Sequence, residues 1–249
     1  MNKSKEALLS WYVELGIDCF LEKNNRDKVQ VLKDEIENSD NYNNSNKQSM
    51  KHISKSLAEK CSTVVELRRV VENFDELDIK KGAINTVFAD GNPKSDIMLI
   101  GEAPGANEDK YGIPFCGQSG KLLDNILAAI KLDRKNYYIT NTIFWRPPAN
   151  RRPTTNEIDV CRPFVEKHVA LVNPKIIILV GSTAVESLLD LKTPMGQLRK
   201  QNFKYINQYL KKSIDTFVIF HPSYLLRQPS QKKAMWQDIQ RIYTFYQNI

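Results

Sequence analysis

Gly101–Asp124, GEAPGANEDKYGIPFCGQSGKLLD, lies between two readable elements. The preceding Asp96–Ile100 (DIMLI) is apolar enough for a buried strand. From Leu122 to Ile130, apolar residues at 122, 123, 126, 127 and 130 mark one face of a helix. The loop between them, ~20 residues, is too long for a plain connection. Its glycines, at 101, 105, 112, 117 and 120, let backbone take unusual conformations and approach a ligand closely. A long polar loop at the carboxyl end of a strand is where open α/β sheets bind ligands. An ordinary surface loop is the alternative on composition alone.

The same alternation continues downstream. Tyr137–Thr140 (YYIT), Ile176–Val180 (IIILV) and Thr216–Phe220 (TFVIF) read as strands, and Ala83–Ala89 (AINTVFA) as a further one before the turn Asp90–Pro93. Helices are expected over 56–73, 121–132, 156–172 with Thr155 as cap, 182–191 and 229–249. Strands alternating with helices from Asp96 onward predict an α/β fold: a three-layer α/β/α sandwich around a four-stranded parallel sheet. In such a sheet the Gly101 loop, Asn141, the Gly181 loop and His221 all fall on one rim, because each follows a strand's carboxyl end.

The 249 residues divide into an N-terminal helical segment (1–38), a flexible Asn-rich linker (39–55, including SDNYNNSNKQSM) and one α/β domain (56–249). Residues 4–22 and 28–37 carry the helical periodicity of the first segment, which either packs on its own domain or docks a protein partner. No apolar run reaches the ~18 residues of a membrane helix. The N-terminus carries acids and is a poor secretory signal, and four scattered cysteines (19, 61, 116, 161) suit a reducing, cytoplasmic setting. A net charge of +7 suits a nucleic-acid partner, though a Lys- and Asn-rich composition gives the same number.

The rim offers Glu102, Glu108, Asp109, Phe115, Asn141, His221 and Ser223. Of the three histidines (52, 168, 221) only His221 falls there, so a hydrolytic zinc site is not expected. No Gly-Lys-Ser/Thr follows the glycines and no G-x-S-x-G is present, which removes a Walker phosphate loop and a serine-hydrolase elbow. An aromatic ring stacks on a flat heterocycle. An amide both donates and accepts, as the edge of a pyrimidine requires. A carboxylate positions water, and a histidine stabilises charge on a departing group. The residues alone define a generic nucleotide-binding site. Phe115 in the core, Asn141 capping a turn, Glu102 pairing with an arginine and Glu108 as a solvated loop acid stay open beside it.

GEAPG-x2-ED-x2-G-x-PF-x-G-x-SG-x-LLD resembles motif A of the family 4 uracil-DNA glycosylases, and His221–Arg227 (HPSYLLR) resembles that family's later histidine loop. The resemblance spans roughly 86–246. It implies hydrolysis of the N-glycosidic bond of a uracil flipped out of DNA, leaving an abasic site for base-excision repair. The alternative on the same fold is a non-catalytic uracil- or DNA-binding module. By resemblance, Glu102, Glu108 and His221 are catalytic, and Gly101, Phe115, Asn141 and His221 bind uracil. The loop residues Arg146, Asn150, Arg151 and Arg152, with Ser223, Leu225, Leu226 and Arg227, bind DNA, an apolar side chain filling the gap the base leaves. The expected partner is uracil-containing DNA, with no membrane, and the protein is expected to be a monomer.

Family 4 enzymes typically carry a 4Fe–4S cluster on four cysteines. Here those positions fall on Phe74, Leu77, Trp145 (FWRPP) and Cys161, so no cofactor and no metal site is expected. The related group that links itself covalently to the abasic sugar carries a basic, histidine-bearing insertion. Asn150–Thr155 (NRRPTT) is short and has no histidine, so self-trapping is not expected.

Overall fold

The computed structural model describes residues 48–248. The helical segment expected over 1–38, and residues 39–47 of the expected linker, lie outside the described residues. Residues 48–59 are helical, so the linker reading does not hold for 48–55. The single helix expected over 56–73 is two, because Thr63 caps a new start: its side chain accepts from the Glu66 N–H, and the Glu66 carboxylate accepts from the Ser62 N–H at 2.7 Å. That second helix is Val64–Glu72.

One six-stranded sheet forms the centre. Its strands are β1 (Ala89–Gly91), β2 (Ile97–Gly101), β3 (Tyr138–Asn141), β4 (Ile176–Val180), β5 (Phe203–Tyr205) and β6 (Ile214–Ile219), in the order β1-β3-β2-β4-β6-β5. The four inner strands are parallel, as expected, with Gly101 opposite Asn141 and Val180 opposite Ile219. Two antiparallel edge strands were not foreseen. Residues 83–88 are not the expected strand. Strand pairing there begins only at Ala89, although Val87 still donates to the Phe144 carbonyl. β5 is three residues, FKY, too short to carry a period-2 pattern.

β2 and β4 are buried along their whole length, which explains their uninterrupted apolar runs. Ile97, Leu99, Ile176, Ile178, Val180, Phe217 and Ile219 share one core with Leu123 and Leu127 of the helix Gln118–Ala128 and with Ile239 and Ile242 of the helix Lys232–Tyr246. The helix Thr155–Val172 covers the other face, with Val64–Glu72 and Ser182–Leu189 packed against it. The crossover from β2 to β3 runs one way along the sheet and those from β3 to β4 and from β4 to β6 run the other way, so right-handed connections put their helices on opposite faces. Thr154, not Thr155, caps the long helix, its hydroxyl accepting from the Glu157 N–H while Glu157 reaches back to the Thr154 N–H.

The second face also buries His168. Its Nε2 bonds the Tyr138 hydroxyl at 2.9 Å, and its ring stacks on Phe88 at 4.4 Å. Burial, reinforced by the charge of Arg68, holds this imidazole down to about 3. Its unfolded value is near the ordinary ~6.5, so the unfolded state takes up the proton first and stability is lost as pH falls from there towards 3. Urea unfolding at pH 6, 5 and 4 should show His168→Gln with a shallower pH slope than wild type, by up to ~1.4 kcal/mol per pH unit. Equal slopes would mean that His168 is not held neutral.

Candidate active site

Because the inner strands are parallel, their carboxyl ends open onto one cleft of about 1190 Å3. Glu102, Glu108, Phe115, Asn141, Asn150, Arg151, Ser223, Leu226, Arg227 and His221 all line it. Such a volume exceeds what one base fills and leaves room for sugar and phosphate.

Gly101 ends β2 just before Glu102; it is not among the residues that line the cleft but lies behind Phe115 and Asn141, which do. A Cβ there would stand 2.5 Å from the Asn141 Oδ1 and closer still to the Phe115 ring. Asn141 is 1% exposed, and its Oδ1 is buried without a hydrogen-bond partner. Such an orphaned acceptor costs ~1–3 kcal/mol unless a ligand supplies a donor. Phe115 is buried with φ 54, in the left-handed region that a bulky side chain rarely enters. Its carbonyl accepts from Arg134 Nη2 at 2.8 Å, and that of Pro114 from Nη1 at 3.1 Å. Asp124 and Asp90 hold Arg134 in turn. Gly120 lets the following helix pass directly over the Phe115 carbonyl, where a Cβ would collide. Nothing local in the sequence marks Arg134, which lies beyond the end of the helix Gln118–Ala128 and ten residues from its partner Asp124.

His221 follows β6 and caps the short helix Pro222–Arg227. Its Nδ1 accepts from the Ser223 N–H at 3.2 Å and lies 2.8 Å from the Ser223 hydroxyl. An Nδ1 that accepts from the backbone is unprotonated, so the neutral ring carries its hydrogen on Nε2. Burial keeps this imidazole below the ordinary histidine range, against the opposing pull of the Glu102 carboxylate. The Phe115 and His221 rings face each other at 5.7 Å, tilted by 32°.

Glu102 is fixed at both ends. Its carbonyl accepts from the Thr142 hydroxyl at 2.6 Å and the Ile143 N–H at 3.1 Å, and its Oε2 accepts from the Thr183 hydroxyl at 2.5 Å. Glu108 is differently occupied: Oε2 accepts from the Gly105 N–H at 3.1 Å and Oε1 from the Gly117 N–H at 2.8 Å. It clamps the loop on itself. Asp109 leaves the rim, being 2% exposed and accepting from the N–H groups of Ile84 and Asn85.

The outer residues divide. Leu225 is fully buried and cannot enter a nucleic acid, whereas Leu226 is 44% exposed. Arg151 is bidentate to Glu157 at 2.6 and 2.8 Å. Arg152 bonds Thr183 and Glu186, and Arg146 bonds Asn150. Arg227 is exposed, and among the described residues no carboxylate pairs with it.

The positions where the resembled family places its cluster cysteines are filled by packing. Phe74 stacks on Trp145 at 6.4 Å and meets Phe164 edge-on at 5.1 Å. Leu77 and Cys161 are also buried, and the Trp145 Nε1–H donates to Thr86 Oγ1 at 2.9 Å. Of the four positions only Cys161 offers a thiol, pushed up by burial, and the other three carry apolar side chains. These residues do not fit an iron–sulfur cluster, which needs thiolate ligands. Among the described residues no group of three or more His, Cys, Asp or Glu is placed to hold a metal ion, and no helix is long and apolar enough to cross a membrane.

The family model for the uracil DNA glycosylase superfamily matches residues 88–240. The type-4 uracil-DNA glycosylase of Sulfurisphaera tokodaii is 37% identical over 161 residues, covering 64% of this chain and 73% of its own. That of Archaeoglobus fulgidus is 33% identical, covering 71% and 90%, and that of Thermotoga maritima 36% identical, covering 65% and 83%.

With Glu108 as a clamp, Glu108→Ala should lower the unfolding free energy by about 2 kcal/mol or more, read by urea denaturation. A variant as stable as wild type would remove Glu108 from the loop's support.

Proposed function

This chain belongs to the uracil-DNA glycosylase superfamily, and we propose that it hydrolyses the N-glycosidic bond of uracil in DNA to leave free uracil and an abasic site. The observation that carries the reading is the buried, unpartnered Oδ1 of Asn141 beside the Phe115 ring. Uracil brings the missing donor, its N3–H, and a flat face for the ring. Cytosine has no hydrogen on N3, so it would leave the acceptor buried and unsatisfied, a loss that discriminates strongly between bases.

The reacting base must leave the helix to reach a pocket at the strand ends, and Leu226 is the side chain placed to fill the gap. Arg227 supplies a phosphate contact. Arg146 and Asn150 do so after exchanging their mutual bond, whereas Arg151, tied to Glu157, shapes the loop. In the cleavage step the C1′–N1 pair departs with uracil. Charge gathers on the O2 side, where the neutral His221 donates from Nε2. Glu102 orients the attacking water and stabilises the positive charge on the sugar. Water oxygen bonds C1′, and its proton passes to the carboxylate or the departing base. Ser223 holds the His221 tautomer, and Glu108 supports the loop that carries Phe115.

Among the described residues none that lines the cleft is a lysine, which favours a monofunctional glycosylase over a Schiff-base lyase. As proposed, the enzyme acts on uracil-containing DNA as a monomer in the cytoplasm, a reducing compartment that suits its scattered cysteines. Phe74, Leu77 and Trp145 take over by packing the role that a cluster has in typical family 4 enzymes.

Uracil release from a labelled oligonucleotide tests the assignment. Glu102→Gln should lower single-turnover cleavage about 100-fold or more while binding uracil DNA within about 3-fold of wild type. Equal cleavage by both proteins would overturn the role of Glu102. Tight binding of uracil DNA by a wild-type protein that releases nothing would make it a binding module.

A further inference from the structure

Thr183 has no place in the reading of the sequence beyond opening a helix, yet it touches the carboxylate on which the chemistry is placed. It is fully buried at the second residue of Ser182–Leu189, just after Gly181, whose φ of 96 makes the turn. That turn meets both ends of the reaction. A Cβ on Gly181 would stand 3.1 Å from the His221 Cβ, and Thr183 Oγ1 donates to Glu102 Oε2 at 2.5 Å.

A threonine hydroxyl has one hydrogen and two lone pairs. The Arg152 Nε–H lies 3.2 Å from Thr183 Oγ1 and takes a lone pair, which leaves the hydrogen for Glu102. Arg152 is itself anchored by Nη2 to Glu186 Oε2 at 2.5 Å. The result is a chain of hydrogen bonds from the Pro- and Arg-rich loop to the cleft: Arg152 donates to both Glu186 and Thr183, and Thr183 donates to Glu102. A glutamate has three rotatable side-chain bonds, and a site that must hold water at one oxygen needs the other held.

We infer that Thr183 is a positioning residue for Glu102, and that Arg152 acts through Thr183 rather than as a phosphate contact. Thr183 takes up Oε2 and so leaves Oε1 for the attacking water. Arg152 sets the direction of the hydroxyl. This inference rests on the catalytic reading of Glu102 above.

Single-turnover cleavage of a uracil oligonucleotide, the DNA concentration giving half-maximal rate, and the melting temperature are measured for Thr183→Val, Thr183→Ser, Arg152→Gln and Glu102→Gln. Valine removes the hydroxyl at nearly constant volume. Thr183→Val should cut the maximal rate about 10- to 100-fold, with half-saturation and melting close to wild type. Thr183→Ser keeps the hydroxyl and should stay within about 3-fold of wild type. Arg152→Gln should lower the maximal rate by about 3-fold or more without raising half-saturation, and should add nothing to Thr183→Val in the double variant.

Full activity of a folded Thr183→Val, with Glu102→Gln inactive, would overturn this inference alone. If Glu102→Gln cleaves like wild type, the catalytic reading itself fails. Should Thr183→Val melt early, the side chain of Arg152, about half exposed, decides the matter. An Arg152→Gln that only raises half-saturation is a lost phosphate contact and overturns the inference.

Discussion

β2 must end beneath Phe115 and Asn141 so closely that a Cβ at position 101 would lie 2.5 Å from the Asn141 Oδ1 and still nearer the aromatic ring. Everything at the site depends on that approach. With no side chain at Gly101, the ring and the amide pack directly on the backbone and can converge on one flat ligand. The parallel sheet brings the rest: Gly101 and Asn141 are cross-strand partners, and His221 follows the strand that pairs with β4 on the other side. A slip of one residue in register would turn the Asn141 side chain to the opposite face.

The site stores unfavourable local choices that the scaffold over-determines. A left-handed phenylalanine and an orphaned buried acceptor each cost on the order of 1–3 kcal/mol. Phe115 is held by the Arg134 guanidinium on two consecutive carbonyls and by the passage of Gly120 above it. Glu102, Glu108 and His221 are each fixed by named donors. Preorganised groups of this kind stabilise charge at the moment of reaction without reorganising.

The inner sheet was legible because β2 and β4 are continuous apolar runs and β3 and β6 are largely apolar, and the residues at the strand ends, Glu102, Asn141 and His221, followed from topology alone. β1 and β5 were not legible: each is only three residues on an edge of the sheet, and the partner of β1 is about fifty residues away. Glu108 and Asp109 show a second limit. Their sequence says only that two acids face a loop, while the fold gives one to the backbone of that loop and buries the other under Ile84 and Asn85. Leu225 and Leu226 are adjacent and chemically alike, and only the helix they share sends one inward and the other out. Arg151 and Arg152 read as a basic loop, but Glu157 and Glu186 occupy them from other turns of the fold. Arg134 and Thr183 act at a distance in sequence, and no local pattern marks either.

Trp145, Phe74 and Leu77 stand where typical family 4 enzymes have sulfur ligands; Phe74 stacks on Trp145 and meets Phe164 edge-on, and Leu77 and Cys161 are buried. Hydrophobic burial and ring contacts then support the loop that leads from β3 to the arginines, with no thiolate required. The most direct measurement is uracil release by the purified wild-type protein, with iron and acid-labile sulfide assayed on the same sample. The account predicts turnover by a colourless protein with iron and sulfide at background. Turnover that appears only in a brown, iron-containing fraction would contradict it.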